Sequence, residues 1–168
     1  MEKYKILLEL ALHRYDEVDN RNEIIDDKSK SMIAFIGVML TIEFSAIPNI
    51  IKTLNETTPN GGRTLLFLGI ASTCCYLISI FYFISAVNPI KKFEEAPVMN
   101  ELVSSGKNDE LDEIVAKNIK SLKKCVEKNH NTIEDKAQKS KNGFDFLKYG
   151  VLLTVMFIIL FILLKWRW

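Results

Sequence analysis

In the first part of the chain, mostly apolar positions recur at alternating intervals of four and three residues. The interval does not change where the surrounding sequence turns from charged to apolar after Ser31. A helix has this period when it packs against a partner along its whole length. We therefore predict one continuous helix, cytoplasmic in its first half and transmembrane in its second. These positions, called the seam below, are Tyr4, Leu8, Ala11, Tyr15, Val18, Asn22, Ile25, Ser29, Met32, Ile36, Met39 and Glu43.

Three hydrophobic blocks follow one another along the chain, at residues 32–51, 64–87 and 146–164. Each has roughly the twenty residues that a helix needs to cross the hydrocarbon core of a bilayer. Residues 52–63 contain a proline and two adjacent glycines, which is typical of a short turn between spans. The pattern predicts an all-α integral membrane protein with three transmembrane helices.

Two charged regions, residues 1–31 and 88–145, lie outside these blocks. The first has neither glycine nor proline and predicts an amphipathic helix. In the second region, Asn142-Gly143 predicts a break before the last span. We expect the two regions to pair, through 1–31 and 95–142, as a cytoplasmic helical stalk. The second amphipathic helix is predicted from apolar residues at Leu111, Val115, Ile119, Leu122, Val126, Ile133 and Ala137.

The distribution of basic residues predicts the topology. Six Lys/Arg precede the first span and twelve lie in residues 88–148, whereas two lie in residues 52–63 and two in the C-terminal tail. Cytoplasmic segments carry the excess of Lys/Arg. This places the N-terminus and residues 88–145 in the cytoplasm and the C-terminus outside.

Composition argues against several classes of protein. Three cysteines, two of them adjacent in an apolar block, do not make the framework of a disulfide-stapled secreted protein. The first apolar run comes too late for a signal peptide. His13 and His130 are too isolated to suggest a metal site or a catalytic base. We expect neither catalysis nor a cofactor.

The carboxylate of Glu43 is the main candidate for function. An ionisable side chain within a span costs about 2.5–3.5 kcal/mol on insertion scales, so it normally faces protein or water. If the seams of several copies meet at an axis, Glu43 lines a pore. Alternatively, Glu43 reaches the headgroups or a threonine on another helix. The predicted pore-lining residues are Glu43, Met39, Ile36 and Ser29.

Two further polar residues, Asn22 and Ser29, lie on the seam. Polar residues at such positions fix the register and copy number of coiled coils. If the true core face lies slightly to one side of the seam, both residues are instead exposed.

Basic side chains form stripes on both amphipathic helices. Such stripes bind the phosphates of a nucleotide or short oligonucleotide through charge contacts. Contact with anionic lipid headgroups, or a solvated helix face, is the more common reason for such stripes. The candidate ligand-binding residues are Lys117, Lys120, Lys124 and Lys128 on the second helix, with Arg14 and Arg21 on the first.

Short motifs at the ends of the spans resemble those of small bacterial antiviral effectors of the Pycsar and SLATT types. These motifs are Asp27-Lys28-Ser29 before the first span, Val87-Asn88-Pro89-Ile90-Lys91 after the second, and Lys148-Tyr149 at the third. The resemblance implies membrane disruption or ion conduction on activation, in the bacterial inner membrane. A fused cyclic-nucleotide domain is not present in these residues. The chain in this respect resembles the membrane component of Hailong systems, a channel gated by an oligonucleotide that a nucleotidyltransferase makes.

We therefore expect an oligomeric effector in the bilayer, taken as a homotetramer, that forms a ligand-gated ion channel or pore. A nucleotide or oligonucleotide would be its signal. The alternative is a membrane scaffold or adaptor that recruits a soluble partner through its cytoplasmic helices.

Overall fold

A computed structural model describes residues 2–56, 59–88 and 111–166 of the chain. Within these ranges the secondary structure is helical, which confirms the predicted all-α class. The helices are α1 (Glu2–Glu56), α2 (Pro59–Val87) and α3 (Leu111–Trp166). Each is long and apolar enough to cross a membrane. The predicted stalk, the insertion into a bilayer and the orientation of the termini stay predictions, and residues 89–110 of the predicted cytoplasmic region lie outside the described residues.

The helices extend beyond the predicted hydrophobic blocks. Helix α1 continues through Pro48 to Glu56, and α2 begins at Pro59, so most of the predicted turn at 52–63 is helical. Proline is well suited to the first turn of a helix, where its missing N–H has no partner to lose. The break predicted at Asn142-Gly143 is wrong, because both residues lie inside α3.

The chain forms two compact units, to both of which α1 and α3 contribute. Unit 1 comprises Met1–Asp26 and Pro89–Ala137, and unit 2 comprises Asp27–Asn88 and Gln138–Trp168. In unit 1, α1 and α3 contact each other, and the buried hydrophobic residues there include Val18, Leu122, Cys125 and Ile133.

The core of unit 2 is formed by all three helices. Ile36 of α1, Tyr76 and Phe83 of α2, and Leu147 of α3 make one buried hydrophobic cluster. Tyr76, Phe83 and Ile36 have no exposed surface. Each helix therefore buries one face against the other two.

Two glycines of α3 allow the aromatic residues of α2 to approach its backbone. A Cβ on Gly150 would lie 2.8 Å from the Tyr76 ring, and one on Gly143 would lie 3.1 Å from the Phe83 ring. The Ser79 hydroxyl donates a 2.7 Å hydrogen bond to the Gly143 carbonyl between these two contacts. Since residue numbers rise along one helix as they fall along the other, α2 and α3 are antiparallel. Small residues at such contacts are the usual means by which membrane helices pack closely.

Helix α1 runs parallel to α3 in unit 2. The Ser29 hydroxyl donates to the Ser140 hydroxyl at 3.4 Å, and the Thr154 hydroxyl donates to the Glu43 carboxylate at 2.6 Å. Both pairs are separated by 111 residues in sequence, so the register between the two helices is constant over this length.

We predict that Gly150→Ala destabilises the protein by about 1–3 kcal/mol, because the new methyl group would displace a buried, hydrogen-bonded tyrosine. Gly37→Ala is the matched control, since nothing lies within 4 Å of a Cβ built there. It should be neutral or stabilising by up to about 1 kcal/mol, the difference in helix propensity. Unfolding by SDS titrated into a mild detergent, followed by circular dichroism, measures both. Equal stability of the two variants would contradict the close contact at Gly150.

Candidate functional site

The carboxylate of Glu43 is the centre of a polar cluster within the apolar part of unit 2. Its Oε1 accepts hydrogen bonds from Thr154 Oγ1 at 2.6 Å and Ser72 Oγ at 2.9 Å. Its Oε2 accepts from Thr73 Oγ1 at 3.2 Å. Tyr76 Oη lies 3.0 Å from Thr154 Oγ1 and extends the cluster by one further hydroxyl. Helices α2 and α3 thus solvate an acidic group that belongs to α1.

Each of the three hydroxyls that donate to Glu43 has a second acceptor within reach on its own helix. Ser72 and Thr73 both lie 2.9 Å from the Gly69 carbonyl, and Thr154 lies 3.0 Å from the Gly150 carbonyl. A hydroxyl has one proton to donate, so it bonds either to Glu43 or to the backbone. Since either choice satisfies the donor, the cluster has alternative hydrogen-bond arrangements of similar quality. Each hydroxyl can therefore turn from Glu43 to its own backbone without losing a hydrogen bond.

No basic side chain among the described residues lies within ion-pair distance of Glu43. The cluster offers oxygen atoms alone, which suit a proton or a small hard cation. Across the described residues there is no group of three His, Cys, Asp or Glu side chains that could hold a metal ion. The site therefore consists of one carboxylate held by neutral hydroxyl donors from two other helices.

The four predicted pore-lining residues all lie on the inward face of α1, against helices of the same chain. Ser29 and Ile36 have no exposed surface, whereas Met39 and Glu43 are half-buried. Contact of Glu43 with threonines on other helices is what the second interpretation of this residue expected. Because the seam is covered within one chain, lining of a pore at an axis between copies would require α1 to separate from α2 and α3. That pore stays a prediction.

The six candidate ligand-binding residues are all exposed in unit 1. Lys117 also lies 3.6 Å from Glu113, one helical turn away. Such an exposed pair contributes little to stability. Binding of a phosphate ligand and contact with lipid headgroups both stay predictions.

Sequence reasoning missed a buried lysine in unit 1. The Lys136 side chain is 4% exposed, and its Nζ donates to Asp26 Oδ1 at 2.8 Å and to Asn22 Oδ1 at 2.6 Å. Asn22 is thus a partner for a charge on α3. A signal was present in the sequence, because Lys136 lies in a run of α3 positions with spacings of three and four residues. That run is Leu122, Cys125, Asn129, Ile133, Lys136, Ser140, Gly143, Leu147, Gly150 and Thr154.

No family model matches the chain, and no curated protein or solved structure is significantly similar to it. The resemblance to antiviral effectors therefore stays a prediction that rests on short sequence motifs.

We predict that Lys136→Ala destabilises the protein by about 2–4 kcal/mol. This is somewhat less than the roughly 3–5 kcal/mol typical of a broken buried ion pair, because the Asp26 side chain keeps 21% exposure. Lys123→Ala on the same helix is the control. Its ion pair with Glu127 spans 3.8 Å between well exposed side chains, and its loss should change stability by less than about 0.5 kcal/mol. Detergent unfolding followed by circular dichroism measures both.

A double variant, Lys136→Met with Asp26→Leu, separates loss of the pair from loss of packing. It should recover most of the stability, since apolar replacement of a whole buried pair is generally neutral or better. If the double variant is as unstable as Lys136→Ala, the unpaired Asp26 charge is not the cause of the loss.

Proposed function

We propose that the protein is an oligomeric membrane effector that conducts ions through a gated pathway, controlled by a nucleotide or oligonucleotide signal in antiviral defence. The observation that carries this proposal is the Glu43 carboxylate, which takes hydrogen bonds from three hydroxyls on the two other helices. Ionisable groups at such positions in apolar helices generally mark the paths of ions or protons. Acidic side chains in such paths favour cations.

The type of partner at Glu43 supports conduction. A lysine or arginine beside the carboxylate would neutralise it and exclude a cation. Hydroxyl partners leave the charge uncompensated, and each can turn to a backbone carbonyl when a cation replaces it. A passing cation would therefore leave no buried donor without an acceptor.

Gating follows in this proposal from movement of α1. Ser29 and Ile36 are fully covered within one chain, so the closed arrangement offers no continuous polar path along the seam. A ligand bound at the basic stripes of unit 1 would displace α1, which also carries Glu43 in unit 2. Several copies, taken as four, would then assemble around an axis, with their Glu43 carboxylates facing the pore.

We predict that Glu43→Gln lowers cation conductance at least tenfold. A cation about 4 Å from a carboxylate gains roughly 4 kcal/mol at an effective dielectric constant of about 20, and a tenfold rate corresponds to about 1.4 kcal/mol. Currents of purified protein in planar bilayers, with a salt gradient to give the selectivity, measure this. Glutamine keeps the size of the side chain and one acceptor oxygen, so the change removes charge above all.

The control is Asp145→Asn, which removes an acidic charge from an exposed ion pair with Lys148 in the same unit. Its conductance should equal that of the parent. Absence of current from the parent, with and without oligonucleotides, would overturn the channel and favour a membrane adaptor. Equal currents from the parent and Glu43→Gln would remove Glu43 from the conduction path.

For the signal, we predict that reversing Lys120 and Lys124 to Glu abolishes oligonucleotide binding. The logarithm of the binding constant falls linearly with the logarithm of the salt concentration. For a single strand, the slope becomes shallower by about 0.7 for each phosphate-neutralising lysine that is removed. Binding of a labelled oligonucleotide at several salt concentrations measures the slope and the affinity. Lys123→Glu, an exposed neighbour outside the stripe, should weaken binding less than Lys124→Glu. Unchanged binding in the double variant would assign these lysines to lipid contact.

A further inference from the structure

A cavity of about 470 Å³ opens on the side of unit 2 where Glu43 lies. Its volume is within the usual range for sites that bind small molecules. The walls are almost wholly apolar, and the polar residues among them are Glu43 and Thr73. The apolar lining comes from all three helices and includes Phe44, Ile47, Leu66, Ile70 and Phe157.

The two oxygens of Glu43 differ in their relation to this cavity. The partners of Oε1, Ser72 and Thr154, are buried and do not line the cavity. The partner of Oε2 is Thr73, which does. Oε1 accepts two hydrogen bonds and Oε2 accepts one, whereas a carboxylate oxygen can accept about two. The unused acceptor position is therefore on Oε2, the oxygen whose partner Thr73 lines the cavity.

We propose that this cavity binds a lipophilic amine, a single-chain hydrophobic cation whose ammonium group donates to Glu43 Oε2. The carboxylate has no basic partner among the described residues, so a cation supplies the missing charge. The apolar walls accommodate the hydrocarbon chain. A charged hydrogen bond in such an apolar site is stronger than the same bond in water.

The approach to the cavity suits a molecule dissolved in a membrane. Phe44, Leu66 and Ile70 are each at least half exposed in the isolated chain, on the outward faces of α1 and α2. A bilayer would cover these faces, so the ligand would enter sideways from the lipid. Binding of the amine rests on one part of the function proposed above, the location of the protein in a membrane. It does not require that the protein conduct ions.

A photoreactive probe tests the site directly. The probe is dodecylamine with a diazirine in its chain, added to protein in phosphatidylcholine nanodiscs, and the labelled peptides are identified by mass spectrometry. Matched probes carry an alcohol or a carboxylate in place of the amine. We expect saturable labelling of the segments around Phe44–Ile51 and Leu66–Ile70, displaced by unlabelled dodecylamine. Labelling by the alcohol should be about tenfold weaker, because the alcohol lacks the partly screened charge pair between the ammonium group and Glu43.

Three variants complete the test. Glu43→Gln should remove the preference for the amine, and Leu66→Trp should block labelling by filling the cavity. Leu77→Trp adds the same bulk at an exposed position of α2 outside the cavity and should change nothing. Equal labelling by amine and alcohol, or labelling that does not saturate, would show a cavity filled by ordinary lipid chains and would overturn the proposal. Because the readout is binding, either result leaves the proposed conduction to its own test.

Discussion

The arrangement of unit 2 depends on the need to satisfy one carboxylate in apolar surroundings. Glu43 belongs to α1, yet its hydrogen bonds come from α2 and α3. An ionised side chain in an apolar segment is unfavourable unless such donors surround it. The three helices must therefore stay close enough for hydroxyls on short side chains to reach the carboxylate. The observed register of α1 along α3, and the face that α2 turns inward, meet this requirement.

Close approach of the helices is made possible by small residues. Gly143 and Gly150 bring the α3 backbone against the rings of Phe83 and Tyr76, and Ser79 bonds directly to a backbone carbonyl. Where the surroundings are as apolar as the helices, burial of apolar surface does not hold helices together, so packing and interhelical hydrogen bonds do. The contact at Gly150 also positions Tyr76, whose hydroxyl lies beside Thr154 in the Glu43 cluster. Packing and polar chemistry are thus parts of one interface.

The seam predicted from the sequence identifies which face of α1 is covered but not what covers it. Ser29 and Ile36 are fully buried, as their period requires, yet their neighbours are helices of the same chain. A helix shows the same repeat of four and three residues whether it packs against a helix of its own chain or of another copy. The sequence alone therefore did not separate packing within a chain from packing between chains. Gly143 was taken as a helix end because of its intrinsic propensity, which helix packing overrode. For Lys136, the run of α3 positions spaced by three and four residues indicates burial, but the partners Asn22 and Asp26 lie on another helix, and no local pattern identifies them.

The two units bury an acidic group in different ways, and the difference bears on function. Asp26 in unit 1 is paired with Lys136, and removal of either partner leaves a charge without compensation. Such a pair holds two helices in one register. Glu43 in unit 2 is surrounded by hydroxyls that each have another acceptor, so no single arrangement is enforced. A site for fixing structure is best built with an ion pair, whereas a site for exchanging a cation or proton is best built with neutral partners that can turn away. The hydroxyls at Glu43 are therefore the reason for proposing a function at this residue and a structural role for Lys136.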